Sequence, residues 1–145
     1  MPDLGLGTDV IAGFPGEREA DFEETVRLIE GLPFSYLHVF SYSDRKGTEA
    51  TRLPDHLPPR VIAQRSKALR ALSRAKNLAF RRTLLGRTLE LLVLETREKG
   101  TGLLTGLTGN YVELSFSGPD SLMGQLANVT ITDVQPERTL GELVA

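Results

Sequence analysis

The chain has 145 residues, 40% of them hydrophobic and 25% charged, which is enough material for one domain or two small ones. It contains no cysteine and only two histidines, so disulfides and cysteine-bound zinc or iron–sulfur clusters are excluded for this polypeptide. No apolar run approaches the roughly 18 residues of a membrane span, and no secretory leader is evident, so we expect a cytoplasmic protein without membrane contact.

The formal net charge of −2 conceals an uneven distribution. Residues 1–44 carry 2 basic and 9 acidic side chains, residues 45–82 carry 11 basic and 2 acidic ones, and residues 83–145 carry 4 basic and 8 acidic ones. A basic middle between acidic ends indicates either a polyanionic partner or ion pairing within the chain.

The first elements along the chain form a βαβ pattern. A short apolar strand from Asp9 to Ala12 runs into the turn "GFPGE", and "PGEREADFEETVRLIEG" then reads as a helix. Its apolar face consists of Phe22, Val26 and Ile29. The stretch from Ser35 to Ser43 is rich in aromatic and β-branched residues and predicts a second strand, parallel to the first.

A proline-containing loop separates this unit from a long basic helix. "DRKGTEATRLPDHLPP" has three prolines and no periodicity, so we expect an ordered surface loop there. The helix is predicted from Arg60 to about Leu85, with one broad apolar stripe made of Ile62, Leu69, Leu72, Ala75 and Ala79. Four basic residues recur every seven positions on another face, namely Arg60, Lys67, Arg74 and Arg81.

Five short segments of strand-like composition follow Gly86. They are "TLELLVLE", "GLLTGLT", "NYVELSF", "LANVTITDV" and "TLGELV", with glycine-rich turns between them, which predicts a small five-stranded OB-like barrel. The fold class is therefore α+β, with an incomplete α/β piece at 1–58, a basic linker helix at 59–85 and the barrel at 86–145. Two parallel strands cannot form a complete sheet, so residues 1–58 are expected to be the last strands of a larger α/β barrel.

The turn "GFPGE" gives little direct indication of chemistry. Glycine-rich turns before helices can cradle phosphate, but this turn lacks the lysine and Ser/Thr of a P-loop. Five nearby acidic side chains would also repel a phosphate. On physical grounds alone, a structural strand–helix turn is favoured.

Longer motifs resemble the radical S-adenosylmethionine methylthiotransferases. The order "GFPGE", "DFEET" and then "YS-x-R-x-GT-x-A" is similar to the end of their catalytic domain. The family loop usually carries prolines, as in "YSPRPGTPA", whereas this chain has Asp44, Lys46 and Glu49. The barrel sequence resembles the RNA-binding module named TRAM that ends these enzymes.

The resemblance implies a function for the longer protein. Such enzymes methylthiolate a hypermodified adenosine beside the tRNA anticodon, using S-adenosylmethionine and two cysteine-bound iron–sulfur clusters. "LPFSYLHVFSYS", "RSKALRALS" and "GLTGNY" look closest to the subgroup acting on threonylcarbamoyladenosine. Sister subgroups act on isopentenyladenosine in tRNA or on a ribosomal-protein aspartate. Without cysteines, this chain is expected to hold no cofactor by itself, to be inactive alone and to need a missing N-terminal portion.

The same resemblance implies a set of cofactor-binding residues. Ligands of such barrels lie at the carboxyl ends of the strands. The implied set is Asp9, Gly13, Phe14, Pro15, Glu17, Phe40 and Tyr42, with a close backbone approach at Gly13 and adenine stacking on Phe40 or Tyr42. The alternatives are that Phe14 and Phe40 are core aromatics and that Asp9 and Glu17 are capping groups. His38 is expected to be packed or hydrogen-bonded.

The expected RNA partner is a tRNA anticodon stem-loop. Candidate contacts are Arg45, Lys67, Arg70, Arg74 and Arg81 for phosphates, and Asn110 and Tyr111 for bases. Alternatively, the basic stripe docks on acidic residues or faces water, "GN" forms a turn and Tyr111 packs on the barrel. A stand-alone RNA-binding module and a purely structural protein also remain open, as does self-association through an exposed sheet edge.

Overall fold

A computed structural model describes residues 1–145. Contacts divide the chain into two compact units, one formed by Leu6–Asn77 and the other by Met1–Gly5 together with Leu78–Ala145. The long helix contributes residues 59–77 to the first unit and 78–83 to the second. The division at 58 and 85 stays a sequence prediction.

The first unit contains the predicted βαβ arrangement. It consists of β1 (Gly7–Ala12), α1 (Glu19–Gly31), β2 (Tyr36–Ser41), a short 3₁₀ turn (Glu49–Arg52) and most of α2 (Pro59–Thr83). β1 and β2 pair in parallel, with Gly7 opposite Tyr36 and Ala12 opposite Ser41, which confirms the predicted direction. On α1, Phe22 and Ile29 are buried and Val26 is partly buried, as its spacing predicts.

Only one face of the two-stranded sheet is covered by the unit. Ala12 and Leu37 are buried in a core that also contains Leu69 of α2. On the opposite face, Ile11 is 54% exposed and Phe40 is 53% exposed. His38 lies on that open face with only an edge-on ring contact to Tyr36, so the expectation of a packed or hydrogen-bonded histidine is wrong.

A polar stripe of α2 covers the outer edge of β2. The hydroxyl of Ser73 accepts from the Leu37 amide at 2.9 Å and donates to the Leu37 carbonyl oxygen at 3.3 Å. The same stripe continues through Ser66 to Ser41 at 2.7 Å, Arg70 to the Val39 carbonyl at 3.4 Å and Asn77 to the Ser35 carbonyl at 3.2 Å. Because these groups occupy the edge, only β1 has an edge open to another strand. The predicted apolar stripe is wrong at Ala75 and Ala79, which are exposed.

The second unit contains the predicted five-stranded barrel. Its strands are β3 (Thr88–Arg97), β4 (Leu104–Thr108), β5 (Glu113–Phe116), β6 (Leu126–Val134) and β7 (Thr139–Leu143). They close in the order β3-β4-β5-β7-β6, with β5 and β7 parallel and all other pairs antiparallel. Inward side chains at alternate positions, such as Leu91, Val93, Leu114, Phe116 and Val129, fill the interior. The α+β fold class with an OB-like barrel is confirmed.

Candidate functional site

A cavity of about 460 Å³ opens at the carboxyl ends of β1 and β2. Its walls are mainly apolar and aromatic, with one carboxylate and one guanidinium among them. The lining residues are Asp9, Ile11, Phe14, Phe40, Ser41, Tyr42, Ser43, Arg45, Thr48 and Ala50. The mixture suits an organic ligand that has a flat apolar part and a few polar groups.

Four of the residues implied as cofactor-binding line this cavity. Phe14 is 42% exposed and Phe40 is 53% exposed, so the alternative that both are core aromatics is wrong. The rings of Phe14 and Tyr42 meet edge to face, with 5.6 Å between centroids. Asp9 adds a carboxylate on the open face of β1. Their contact with a ligand stays a prediction.

Gly13 and Pro15 belong to the turn after β1, but both are buried and neither lines the cavity. Gly13 has a φ of +80°, and a Cβ built there would lie 2.5 Å from Cγ1 of Ile62. The glycine is therefore required for the backbone conformation and for the close approach of α2. The expected close approach of a ligand to its backbone is not what the structure shows at this position.

Glu17 is already engaged by Arg65 of α2, a residue that the sequence analysis missed. The Arg65 guanidinium donates to Glu17 Oε1 at 2.6 Å, to the Glu17 carbonyl oxygen at 2.9 Å and to Glu19 Oε2 at 2.9 Å. Glu17 Oε1 also accepts from the Gly13 amide at 3.1 Å. The alternative that Glu17 has a local structural role is thus favoured over ligand binding.

The buried position of Arg65 could have been recognised from its spacing. It lies three residues after Ile62 and four before Leu69, on the buried side of α2, and its side chain is only 7% exposed. Burial by itself would lower the pKa of Arg65, but the hydrogen bonds to Glu17 and Glu19 outweigh burial and raise the pKa above its ordinary value. Arg65 stays charged and ties the turn after β1 to α2.

The loop after β2 contributes a second polar cluster beside the cavity. The Tyr42 hydroxyl donates to Asp44 Oδ1 at 2.8 Å, and His56 Nδ1 lies 3.5 Å from the same oxygen. Desolvation and the hydrogen bond to Asp44 raise the pKa of the Tyr42 phenol. His56 is therefore in contact with polar and aromatic neighbours of the cavity, whereas its position in a proline-containing loop predicts a plain surface residue.

The exposed cations of α2 differ from the buried ones in their partners. Lys67, Arg70 and Arg74 are exposed and form no salt bridge, and Arg70 only donates to the Val39 carbonyl. Arg45, at the cavity, is also exposed and without a carboxylate partner. The basic middle of the chain therefore includes internal pairing, through Arg65, and unpaired surface charge.

The prediction that Arg81 contacts RNA is wrong in its physical basis, because this side chain is buried. It donates to the carbonyl oxygens of Gln135 and Pro136 at 2.8 Å, of Arg138 at 3.3 Å, and to Thr139 Oγ1 at 3.1 Å. Burial, and secondarily the charge of Arg82, lowers the pKa of Arg81. A seven-residue spacing predicted that Arg81 would share a face with Lys67 and Arg74. An α-helix, however, drifts by about 20° per seven residues, and Arg81 lies where the helix belongs to the barrel unit.

Of the two barrel residues predicted to contact bases, Asn110 is hydrogen-bonded within the protein and Tyr111 is exposed. The Asn110 amide donates to the Asp3 carbonyl at 2.8 Å and accepts from Thr108 Oγ1 at 2.5 Å, so it holds a turn, as the alternative states. Tyr111 follows at a φ of +63° with 68% of its surface exposed. Phe116, the other aromatic residue of the barrel, is buried in the core.

Comparisons with known proteins concern both the barrel region and the chain as a whole. Residues 82–144 match the family model described as TRAM domain. Over 97–99% of its length the chain is similar to proteins named tRNA-2-methylthio-N(6)-dimethylallyladenosine synthase, with 38% identity to that of Chromobacterium violaceum, 37% to that of Desulfitobacterium hafniense and 38% to that of Moorella thermoacetica.

The matched region is only a part of those proteins. The chain spans about a third of the length of these curated relatives, 32% in each case. The matches do not distinguish the subgroup that acts on threonylcarbamoyladenosine from its sisters. Residues 82–144 thus form a TRAM domain, and the chain as a whole is homologous to part of the tRNA-2-methylthio-N(6)-dimethylallyladenosine synthases.

Proposed function

We propose that this chain is the C-terminal part of a tRNA methylthiotransferase, with one wall of a cofactor site in the first unit and RNA-binding elements on α2 and the TRAM domain. The observation that carries the proposal is 37–38% identity over nearly the whole chain to tRNA methylthio synthases. That identity includes the unit with the cavity, so it is not a likeness of the TRAM domain alone.

The residues around the cavity fit the adenosine part of S-adenosylmethionine. Phe14, Phe40 and Tyr42 offer apolar rings to a purine, and Asp9 offers an acceptor for ribose hydroxyl groups. When bound at a reducing cluster, S-adenosylmethionine supplies the radical that activates a C–H bond. The role of this chain is to bind and orient the nucleoside and to exclude water from one side of it.

The donor set of this chain does not fit the iron–sulfur clusters. The sequence has no cysteine, and no group of three or more histidine, aspartate or glutamate side chains converges on one point. We therefore assign the clusters, and every step of the reaction that passes through them, to the part of the enzyme outside this chain.

RNA binding is proposed for a defined surface, which we call the α2 basic face and define as Lys67, Arg70 and Arg74. These side chains have no carboxylate partner, so they are available to phosphate oxygens. Residues 83–145 carry 8 acidic and 4 basic side chains, which is a poor balance for phosphate binding. Tyr111 is the exposed aromatic residue of the TRAM domain and is proposed to stack on a base.

The proposal also concerns which modified adenosine the whole enzyme acts on. The motifs beside β2 and α2 favour threonylcarbamoyladenosine, whereas the relatives are named for dimethylallyladenosine. A stand-alone RNA-binding module shares the proposed RNA surface but has no need of an upstream part. Joining this chain to such an upstream part tests both the identity of the target nucleoside and the need for that part.

A chimaera provides the test. The upstream two thirds of the Chromobacterium violaceum synthase are fused to this chain, and the chimaera is expressed in cells that lack their own methylthiotransferases. Mass spectrometry of tRNA nucleosides is expected to show a 2-methylthio product, and its side chain identifies the substrate. The unaltered synthase is the positive control. A soluble chimaera that binds tRNA and yields no methylthio product would refute the proposal.

A further inference from the structure

Tyr42 is held at the cavity by its own loop and by two other segments of the chain. Its hydroxyl is bonded to Asp44, and its ring lies edge-on to Phe14 and to His56, with 5.6 Å and 6.0 Å between ring centroids. Phe14 comes from the turn after β1, Asp44 from the loop after β2 and His56 from the segment before α2. Asp44 is only two residues from Tyr42, but Phe14 and His56 are distant in sequence, so no local pattern brings the three rings together.

The geometry points to Asp44 and His56 as positioning residues that fix the Tyr42 ring as a rigid wall for a planar heteroaromatic ligand of the purine class. This inference rests on the proposed function, because it concerns the same cavity. It adds a role for two residues outside the implied cofactor-binding set. Neither of them lines the cavity, so they act through Tyr42.

A hydrogen bond and ring contacts together restrict the Tyr42 side chain. A tyrosine has two rotatable bonds before its ring, and contacts on the ring alone still permit it to swing. The 2.8 Å bond from the hydroxyl to the Asp44 carboxylate fixes the far end of the ring. His56 Nδ1, 3.5 Å from the same carboxylate oxygen, limits the movement of Asp44 in turn.

The segment that carries His56 is itself anchored to the turn that carries Phe14. The Gly16 amide donates to the Asp55 carbonyl oxygen at 2.9 Å, and Asp55 adopts a φ of +60°. The bond between Gly16 and Asp55 therefore joins the segments that carry Phe14 and His56, and these segments cannot separate freely. The cluster behaves as one structural unit.

The hydrogen bonds around Tyr42 also account for a difference between this loop and the loop of the methylthiotransferases that it resembles. Where that pattern has proline after the Tyr-Ser pair, this chain has Asp44. Proline stiffens a loop through its fixed φ, and Asp44 cannot do so. Its side chain instead bonds to Tyr42, while the Thr48 amide and hydroxyl both donate to the Arg45 carbonyl, at 3.1 Å and 2.9 Å. Hydrogen bonds replace the missing proline constraint in holding the cavity wall.

A fixed ring improves binding because the side chain loses little conformational entropy when the ligand associates. Freeing one such side chain is expected to weaken ligand affinity by about twofold to tenfold, the effect of immobilising one side chain. The chain itself is used for the test, with S-adenosylhomocysteine as the probe. The variants are Asp44→Ala, Asp44→Asn and His56→Ala. Glu23→Ala, an exposed carboxylate on α1 in the same unit, is the matched control.

The first readout needs no ligand. Nuclear Overhauser effects between the Tyr42 and Phe14 rings are expected in the unaltered chain, in Glu23→Ala and in Asp44→Asn, whose amide oxygen still accepts the phenol. They are expected to weaken in Asp44→Ala and His56→Ala. Unchanged ring-to-ring effects in Asp44→Ala would overturn the inference, whether or not the probe binds.

The second readout is the affinity for S-adenosylhomocysteine, from chemical-shift titration. Asp44→Ala and His56→Ala are expected to weaken it by about twofold to tenfold, with rescue by Asp44→Asn and no change in Glu23→Ala. Equal affinity in Asp44→Ala and the unaltered chain would also overturn the inference. If the unaltered chain shows no binding at all, the proposed adenosine site fails, and the ring contacts still decide whether Asp44 and His56 position Tyr42.

Discussion

At the scale of single residues, Arg65 is the side chain on which the turn at the cavity depends most directly. Its side chain is 7% exposed, and the side chain of Glu17 that it contacts is 15% exposed. Through Glu17 Oε1 the same pair also holds the Gly13 amide. A buried pair of this kind is costly to break from one side, because the remaining charge loses its partner without regaining water.

Replacing Arg65 with methionine is expected to destabilise the first unit by about 3 kcal/mol, since it leaves the Glu17 carboxylate buried and unpaired. Urea unfolding followed by the amide signals of β1 and β2 measures the change. Arg27→Met is the control, because Arg27 forms an exposed pair with Glu23 and should cost about 0.5 kcal/mol or less. Similar midpoints for the two variants would contradict the role given to Arg65.

Asp21 at the start of α1 gives a prediction for pH. Hydrogen bonds from the Arg18 side chain and from the Arg18 amide hold the pKa of Asp21 at about 2, below the ordinary 3.8. A pKa that is lower in the folded state stabilises the fold above pH 3.8, and this contribution is lost as the pH falls through about 2. A carboxyl NMR titration should show a midpoint near that value, and Arg18→Ala should move it up towards 3.8. A midpoint near 3.8 in the unaltered chain would contradict the hydrogen bonds between Arg18 and Asp21.

At the scale of elements, the polar stripe of α2 explains why β2 is an edge strand. Arg70, Ser73 and Asn77 follow one side of the helix and bond to backbone groups spaced two residues apart, those of Val39, Leu37 and Ser35. Ser66 continues the stripe but bonds to the Ser41 hydroxyl. Alternate residues of a strand direct their backbone groups to the same side, so a helix stripe of this spacing satisfies them in sequence. The sheet can therefore grow only at β1.

Ser73→Ala tests this arrangement, because one hydroxyl serves both the amide and the carbonyl of Leu37. Losing it leaves two backbone groups without partners and is expected to cost about 1–3 kcal/mol. Faster hydrogen exchange at the Leu37 amide is the local readout. Gln64→Ala, an exposed change on the same helix, should leave that exchange rate unaltered. Equal exchange in both variants would contradict the stripe.

Periodicity predicted the elements better than it predicted their partners. The βαβ order, the parallel pairing and all five barrel strands follow from patterns that repeat within a single element. The exposed Ala75, the exposed Phe40 and the carboxylate partners of Arg65 do not, because each depends on which face of an element meets another. Likewise, no pattern along the chain places His56 beside Tyr42, since their contact is made by an aperiodic loop.

At the scale of the whole molecule, the first unit contains a two-stranded sheet and the second a closed barrel. β1 has an open edge, and the face that carries Ile11 and Phe40 is exposed. The barrel has no comparable opening, since its five strands close on one another. This difference agrees with the proposal that the first unit completes a larger catalytic barrel, while the TRAM domain is structurally complete. Neither the length nor the hydrophobicity required of a membrane-spanning helix is found in any helix of this protein.

Contact with tRNA through the α2 basic face is tested by measuring binding to an anticodon stem-loop across a salt series. Changing Lys67, Arg70 and Arg74 to glutamine should weaken binding and reduce the slope of log affinity against log salt by about 2 to 3. The control carries the same charge change at Arg18, Arg27 and Arg52, which are already paired with carboxylates. An unrelated hairpin shows whether the anticodon loop is preferred.

We expect a steep salt slope for the unaltered chain, a shallower slope for the basic-face variant and little change for the control. Equal slopes for the two variants would mean that net charge, and not this face of α2, attracts the RNA. Absence of binding at low salt would contradict tRNA contact through the α2 basic face.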